Sequence, residues 1–302
     1  MKVSEYLARF RPLSYSELFS AECLSGLEII QDKYGQADSD YVVYEVNLKE
    51  PARTLDFSYR FHEGIPAYHY WYEFDHKFYS KGNLSHCYFL DRTDSDFSLS
   101  EKICENEEAI CRVTGREKFE VLRQPLNDLE KFLTDRGLRI SYLGSMDNRG
   151  YSESVRIETR VRTCRRLVEL IRDISYSGDV SLIEDTISKI EPYAARYAYL
   201  FSFDLFADRI SDKIGVAFFP FSSVKDTENT INFLTANNLC LHEKGQGLMK
   251  WAGDPVPEGL LQHRINFIKI QFEKNNIVAV KAYLMQSDEL PLKVLLLRER
   301  EQ

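Results

Sequence analysis

The sequence predicts an α+β fold in which antiparallel strand pairs alternate with helices, and in which several strands carry one apolar and one polar or basic face. Three stretches lead to this reading. Residues 153–162, ESVRIETRVR, sort by parity, with Val155, Ile157, Thr159 and Val161 on one face and Arg156, Glu158, Arg160 and Arg162 on the other. TLDFSYRFH (54–62) repeats the alternation, Leu55, Phe57, Tyr59 and Phe61 opposing Thr54, Asp56, Ser58, Arg60 and His62. RINFIKIQFEK (264–274) does so again, with Ile268, Ile270 and Phe272 against Lys269, Gln271 and Glu273, before a turn at Asn275-Asn276 into IVAVKAYL (277–284).

Taken in order, the first 35 or so residues read as helical through the stripe Leu18, Phe19, Cys23, Leu24 and Leu27. Asp38-Ser39-Asp40 punctuates the chain before the strand YVVYEVNL (41–48), and Pro51 separates that strand from 54–62. Between 63 and 118 no single period dominates, although AYHYWYEFDHKFYS and HCYFLD are strand-like and ENEEAICRV is helix-like. PLNDLEKFLTDRG (125–137) reads as a helix ending at Gly137, and RISYLGSMD (139–147) as a strand leading into 153–162. One or two helices occupy 163–199, and YLFSFDLF (199–206) pairs with KIGVAFFPF (213–221) across Asp208–Asp212. A helix is expected over 226–238, and short extended pieces around the glycines of NLCLHEKGQGLMKW (238–251).

At 302 residues the chain can bury a substantial core, and we expect one domain over 1–302. The aromatic content is high, with Tyr 18 and Phe 19, while Pro 9 and Gly 14 leave little material for long linkers. A net charge of −8 supplies no general basic surface, which argues against nucleic acid as a partner. No run approaches a membrane span and MKVSEYLARF lacks a signal peptide's apolar core, so no membrane partner and a cytoplasmic location are expected. The six cysteines form no C-x-x-C pair and the six histidines no H-x-x-x-H pair, so no metal cage of protein ligands is expected.

If helices cover the apolar strand faces, the polar faces must meet something else. An open sheet would turn them to water, whereas a closed barrel would gather Arg60, Arg156, Arg160 and Lys269 into one chamber. Cations so gathered repel one another unless an anion sits among them, and a diphosphate suits arginine forks.

LGSMDNRGYSESVRIETRVR, YLFSFDLF followed by KIGVAFF, and KWAG leading to RINFIKIQFEK resemble the peptide prenyltransferases of cyanobactin pathways, from about residue 40 to 274. The resemblance implies an α+β ABBA-type closed antiparallel β-barrel with a solvent-filled polar interior, surrounded by a ring of α-helices. Two stretches depart from the family pattern: 62–118 is longer, and the strand at 277–284 continues past the usual end.

The implied activity is transfer of a dimethylallyl or geranyl group from its diphosphate to a side chain of a ribosomal, often cyclic, peptide. Magnesium is implied as a cofactor, held mainly through the diphosphate because no DDxxD is present. Arg60, Arg156, Arg160 and Lys269 match the family's diphosphate-binding positions, with Lys213 a further candidate. Glu45 matches the carboxylate that would take the acceptor's proton. Glu158 is either a counter-ion between Arg156 and Arg160 or a contact for a cationic acceptor, while His242 and Trp251 match positions near the acceptor. Glu45 and Glu158 make the chamber acidic beside its cations, which favours a basic or N–H acceptor such as arginine. The alternatives are transfer to Tyr, Trp or a small phenol or indole, and a non-catalytic barrel that binds an anionic lipid or nucleotide.

Overall fold

The computed structural model describes residues 1–10, 12–61, 68–83, 87–92, 106–146, 151–194, 198–220 and 223–288. Strands β1 (Tyr41–Asn47), β2 (Asp56–Phe61), β3 (Tyr68–Phe74), β4 (Cys87–Arg92), β5 (Ile140–Met146), β6 (Tyr151–Val161), β7 (Tyr199–Leu205), β8 (Ile210–Phe218), β9 (Gln262–Glu273) and β10 (Asn276–Ser287) run in sequence order around a closed barrel. Every neighbouring pair is antiparallel, and β1 with β10 completes the ring through the register Val43↔Met285, Glu45↔Tyr283 and Asn47↔Lys281. Strand β10 therefore closes the barrel and removes its free edges.

The main core lies between the barrel's outer face and the helices α1 (Val3–Arg9), α2 (Glu22–Tyr34), α3 (His76–Tyr79), α4 (Glu107–Thr114), α5 (Arg116–Thr134), α6 (Cys164–Asp173), α7 (Val180–Ile190), α8 (Val224–Ala236) and α9 (His242–Gly253). The alternate residues Val42, Tyr44 and Val46, then Val155, Ile157 and Val161, all belong to this shell. Phe10 stacks on Tyr44 at 4.0 Å, and Trp251 reaches the same ring at 6.0 Å. With the apolar parity spent on the helices, the other parity of every strand turns inward.

Several boundaries differ from the sequence expectation. Residues 242–253 form α9 rather than extended pieces, because Gly245 and Gly247 serve close packing instead of turns. A Cβ on Gly247 would lie 2.6 Å from Leu18 Cγ, and one on Gly245 3.0 Å from Ile231 Cγ2. Helix α5 starts at Arg116 rather than Pro125, so the proline lies inside it. Val121, four residues earlier, is 63% exposed, so the backbone bond that Pro125 cannot make is missing on the watered side. Glu273 pairs with Asn276, which shifts the last hairpin's turn to Lys274-Asn275, with Lys274 at φ 52 in the left-handed region. His62, assigned to the second strand by its sequence, lies outside the described residues.

Candidate active site

The inner parity brings charged groups from many strands together. On β6, Arg156 pairs across the ladder with Asp204 of β7, Nε–Oδ1 at 2.5 Å and Nη2–Oδ2 at 3.0 Å. Glu158 Oε2 stands 3.9 Å from Lys269 Nζ of β9. Lys281 of β10 donates to Glu45 of β1 and lies 3.9 Å from Asp56 of β2. One register line crosses five strands through Arg160, Leu200, Ala217, Lys269 and Lys281. Leu200 and Ala217 bring no charge to that line, and Gly215 beside them brings no side chain.

Lys269 is 7% exposed. Burial presses its pKa below the ordinary lysine value; Glu158 opposes this, Arg156 adds to it, and Glu45 and Glu73 oppose it in turn. Groups on β1, β3 and β6 thus act on one ammonium from β9, as a narrow barrel requires. Lys213 of β8 is also pressed down, first by burial and then by Lys281, with Arg156 adding and Glu273 and Asp204 opposing. The sequence argument offered Glu158 as a counter-ion and otherwise left the cations to a guest; the structure adds carboxylates at Asp204, Glu45 and Asp56.

A second inner layer is apolar. Val43, Trp71 and Met285 pack with Tyr41, Phe89, Tyr142 and Tyr283 in a cluster separate from the outer core. Tyr41 meets Trp71 edge-on at 4.8 Å, and Phe267 stacks on Tyr283 at 4.0 Å. Phe89 lies flat on the barrel wall because Gly144 has no side chain, where a Cβ would fall 2.0 Å from its ring.

The expected site residues separate into groups. Arg156 acts on both Lys213 and Lys269, and Glu158 acts on Lys269. Arg160 shares their inner face. Arg60 is placed elsewhere: its Nη2 pairs with Asp40 at 2.8 Å and its guanidinium covers the Tyr41 ring at 4.2 Å, at the start of β1. Lys281 pairs with the end of β1, about 20 Å away along that strand. Closure therefore sets Arg60 at the other end of β1 from Lys281, and not in one ring with Arg156 and Lys269.

His242 and Trp251 lie on α9, outside the barrel wall. His242 is exposed at the helix start and meets Gln246 at 3.1 Å. Trp251 is fully buried and stacks on His263 at 3.9 Å, and Gln286 and Tyr15 contact that imidazole. Neither is brought to the charged interior. Lys281, Asp204, Asp56 and Glu73 were missed in the sequence. The signal was present: Lys281 shares parity with Tyr283 in IVAVKAYL, and Asp204 with Ser202 in YLFSFDLF. A separate open groove of about 710 Å³ lies by the ends of β6 and β7, bordered by Gly115, Lys118, Val121, Glu153, Phe206 and Arg209.

A ten-stranded antiparallel barrel ringed by helices, with a polar inner face, is the ABBA-type barrel architecture. Solved structures carry the same fold. The structure of 5-dimethylallyl tryptophan synthase from Streptomyces coelicolor in complex with DMASPP and Trp matches with TM-score 0.54 and 11% identity, over 95% of this chain and 94% of that one. The prenyltransferase PriB matches in its apo form with TM-score 0.56 and 11% identity, over 96% of this chain and 97% of that one. Its binary complex with product diphosphate matches with TM-score 0.55 and 9% identity, over the same shares. No family model and no curated protein sequence matches this chain. At these identities the likeness is one of fold. Among the described residues, no helix is long and apolar enough to cross a membrane.

Proposed function

We propose that this chain transfers an isoprenyl group, dimethylallyl or geranyl, from its diphosphate to a side chain of a peptide. The observation that carries the reading is the meeting of Arg156, Lys213, Lys269 and Lys281 with an aromatic layer inside one closed barrel. The cations would hold the diphosphate and stabilise its oxygens as the allylic C–O bond breaks. Burial strengthens this, because an ammonium with little water around it gains more from an incoming anion. Trp71, Tyr41, Tyr142 and Tyr283 would face the carbocation with π surfaces and keep water from it. Glu45 would accept the proton that the acceptor loses.

Magnesium would enter with the diphosphate. Among the described residues no three His, Cys, Asp or Glu stand together as a ligand set, and the interior carboxylates named above face Arg156, Lys269 and Lys281. No step is assigned to the metal. The open groove by β6 and β7 would suit a peptide acceptor, Val121 and Phe206 offering apolar contacts to a chain seated there. Glu45 and Glu158 favour an N–H acceptor such as arginine.

A second reading keeps the chemistry and changes the acceptor to an indole, favoured by the fold likeness to a tryptophan-modifying synthase. Incubation with dimethylallyl and geranyl diphosphate and a panel of cyclic peptides, read by fragmentation mass spectrometry, tests both. Mass gain on peptide nitrogen supports the first reading, and modification confined to tyrosine oxygen defeats the arginine preference. Faster transfer to free tryptophan than to any peptide establishes the second. Tight diphosphate binding without turnover under all conditions leaves a non-catalytic anion-binding barrel.

A further inference from the structure

We propose that Lys281 couples donor binding to removal of the acceptor's proton. Glu45 holds it while the donor is absent; it turns to the diphosphate when the donor enters, and Glu45 is thereby released as a base. This rests on the barrel being a prenyl-transfer chamber.

Lys281 occupies the boundary between two groups of charges. On one side its ammonium donates to Glu45 and stands 3.9 Å from Asp56. On the other it stands opposite Lys269 across the β9–β10 ladder, and its charge adds to the burial that presses the Lys213 pKa down. Among the described residues, charged groups facing Glu45 include Lys281 from β10, Asp56 from β2 and the buried Lys269 from β9. An anion that settles among Lys213, Lys269 and Arg156 competes with Glu45 for Lys281.

The cations differ in how freely they can answer. Arg156 is fixed at two points by Asp204, and a planar guanidinium so held has little freedom to re-aim. Lys281 is a point charge on a four-carbon stem, so its ammonium can swing without moving the backbone. Its displacement leaves Glu45 beside Asp56 with its strongest cation withdrawn, which makes the carboxylate a better proton acceptor. In the transfer that follows, the bond between the isoprenyl carbon and the diphosphate oxygen breaks, and its electron pair leaves with the diphosphate. The acceptor heteroatom bonds to that carbon, and its proton passes to Glu45.

The test is calorimetric binding of dimethylallyl thiodiphosphate, a donor analogue that does not turn over, to the full chain and to Lys281→Met, Glu45→Gln and the double variant. Circular dichroism checks each fold, and Lys281→Gln serves if the methionine variant is unstable. Coupling requires that Lys281→Met weaken binding by about tenfold. It also requires that Glu45→Gln tighten binding, because the charged carboxylate that competes with the anion for Lys281 is then gone, and that the double variant behave like Lys281→Met alone. Unchanged or weakened binding in Glu45→Gln, or additive effects in the double variant, overturns the coupling while leaving the transferase reading in place. No binding of the analogue to the unmodified chain overturns both.

Discussion

Arg156 and Asp204 face one another across the β6–β7 ladder, and the carboxylate grips the guanidinium at two points inside the barrel. The Asp204 side chain is 2% exposed and that of Arg156 16%. Removing one member of a buried pair strands the other's charge. We expect Asp204→Asn to lower stability by about 3 kcal/mol, read as a shift in the denaturation midpoint. Asp204→Leu combined with Arg156→Met should recover most of it, because no charge is then left unmatched.

Gly215 gives Lys269 its place. A Cβ there would lie 2.4 Å from Lys269 Cε and 2.7 Å from Ser202 Oγ. Both are side-chain atoms that can shift, so Gly215→Ala should fold and retain its thermal midpoint within a few degrees. The displaced ammonium should weaken binding of a diphosphate analogue about tenfold. Unchanged affinity in a folded variant would separate Lys269 from the anion site.

His263 lies in the shell between α9 and the barrel, stacked on Trp251, and burial pushes its pKa down from 6.5 to about 4. Asp254 and a backbone hydrogen bond oppose the shift only in part. The unfolded chain therefore binds a proton between these values that the folded chain refuses, and stability falls as pH drops from 6.5 toward 4. The loss attributable to this imidazole is about 2–3 kcal/mol by pH 4. In His263→Gln, which can keep one hydrogen bond to Gln286, denaturation midpoints measured across that window should show a flatter dependence.

Gly247 tests why α9 is a helix. Replacing an interior helical glycine by alanine ordinarily gains up to about 1 kcal/mol. Here the added methyl would meet Leu18 Cγ at 2.6 Å against a packed core. Overpacking should win, with Gly247→Ala destabilised by about 1–2 kcal/mol. Gly245→Ala should cost less, its closest contact being the longer 3.0 Å to Ile231 Cγ2.

What the sequence by itself determined was the sorting of residues between two faces. A strand's period of two is local, so ESVRIETRVR, TLDFSYRFH and RINFIKIQFEK already separate Val155, Phe57 and Ile270, which meet the helices, from Arg156, Asp56 and Lys269, which turn inward. Parity says nothing about which inward groups meet, because that depends on the tilt, register and closure of strands far apart in the chain. Only the tertiary structure set Lys281 against Glu45, 236 positions away, matched Arg156 with Asp204, and left Arg60 at the opposite end with Asp40. The same holds for α9, where Gly245 and Gly247 resemble turn residues until the neighbouring Leu18 and Ile231 show that they were chosen for lack of bulk.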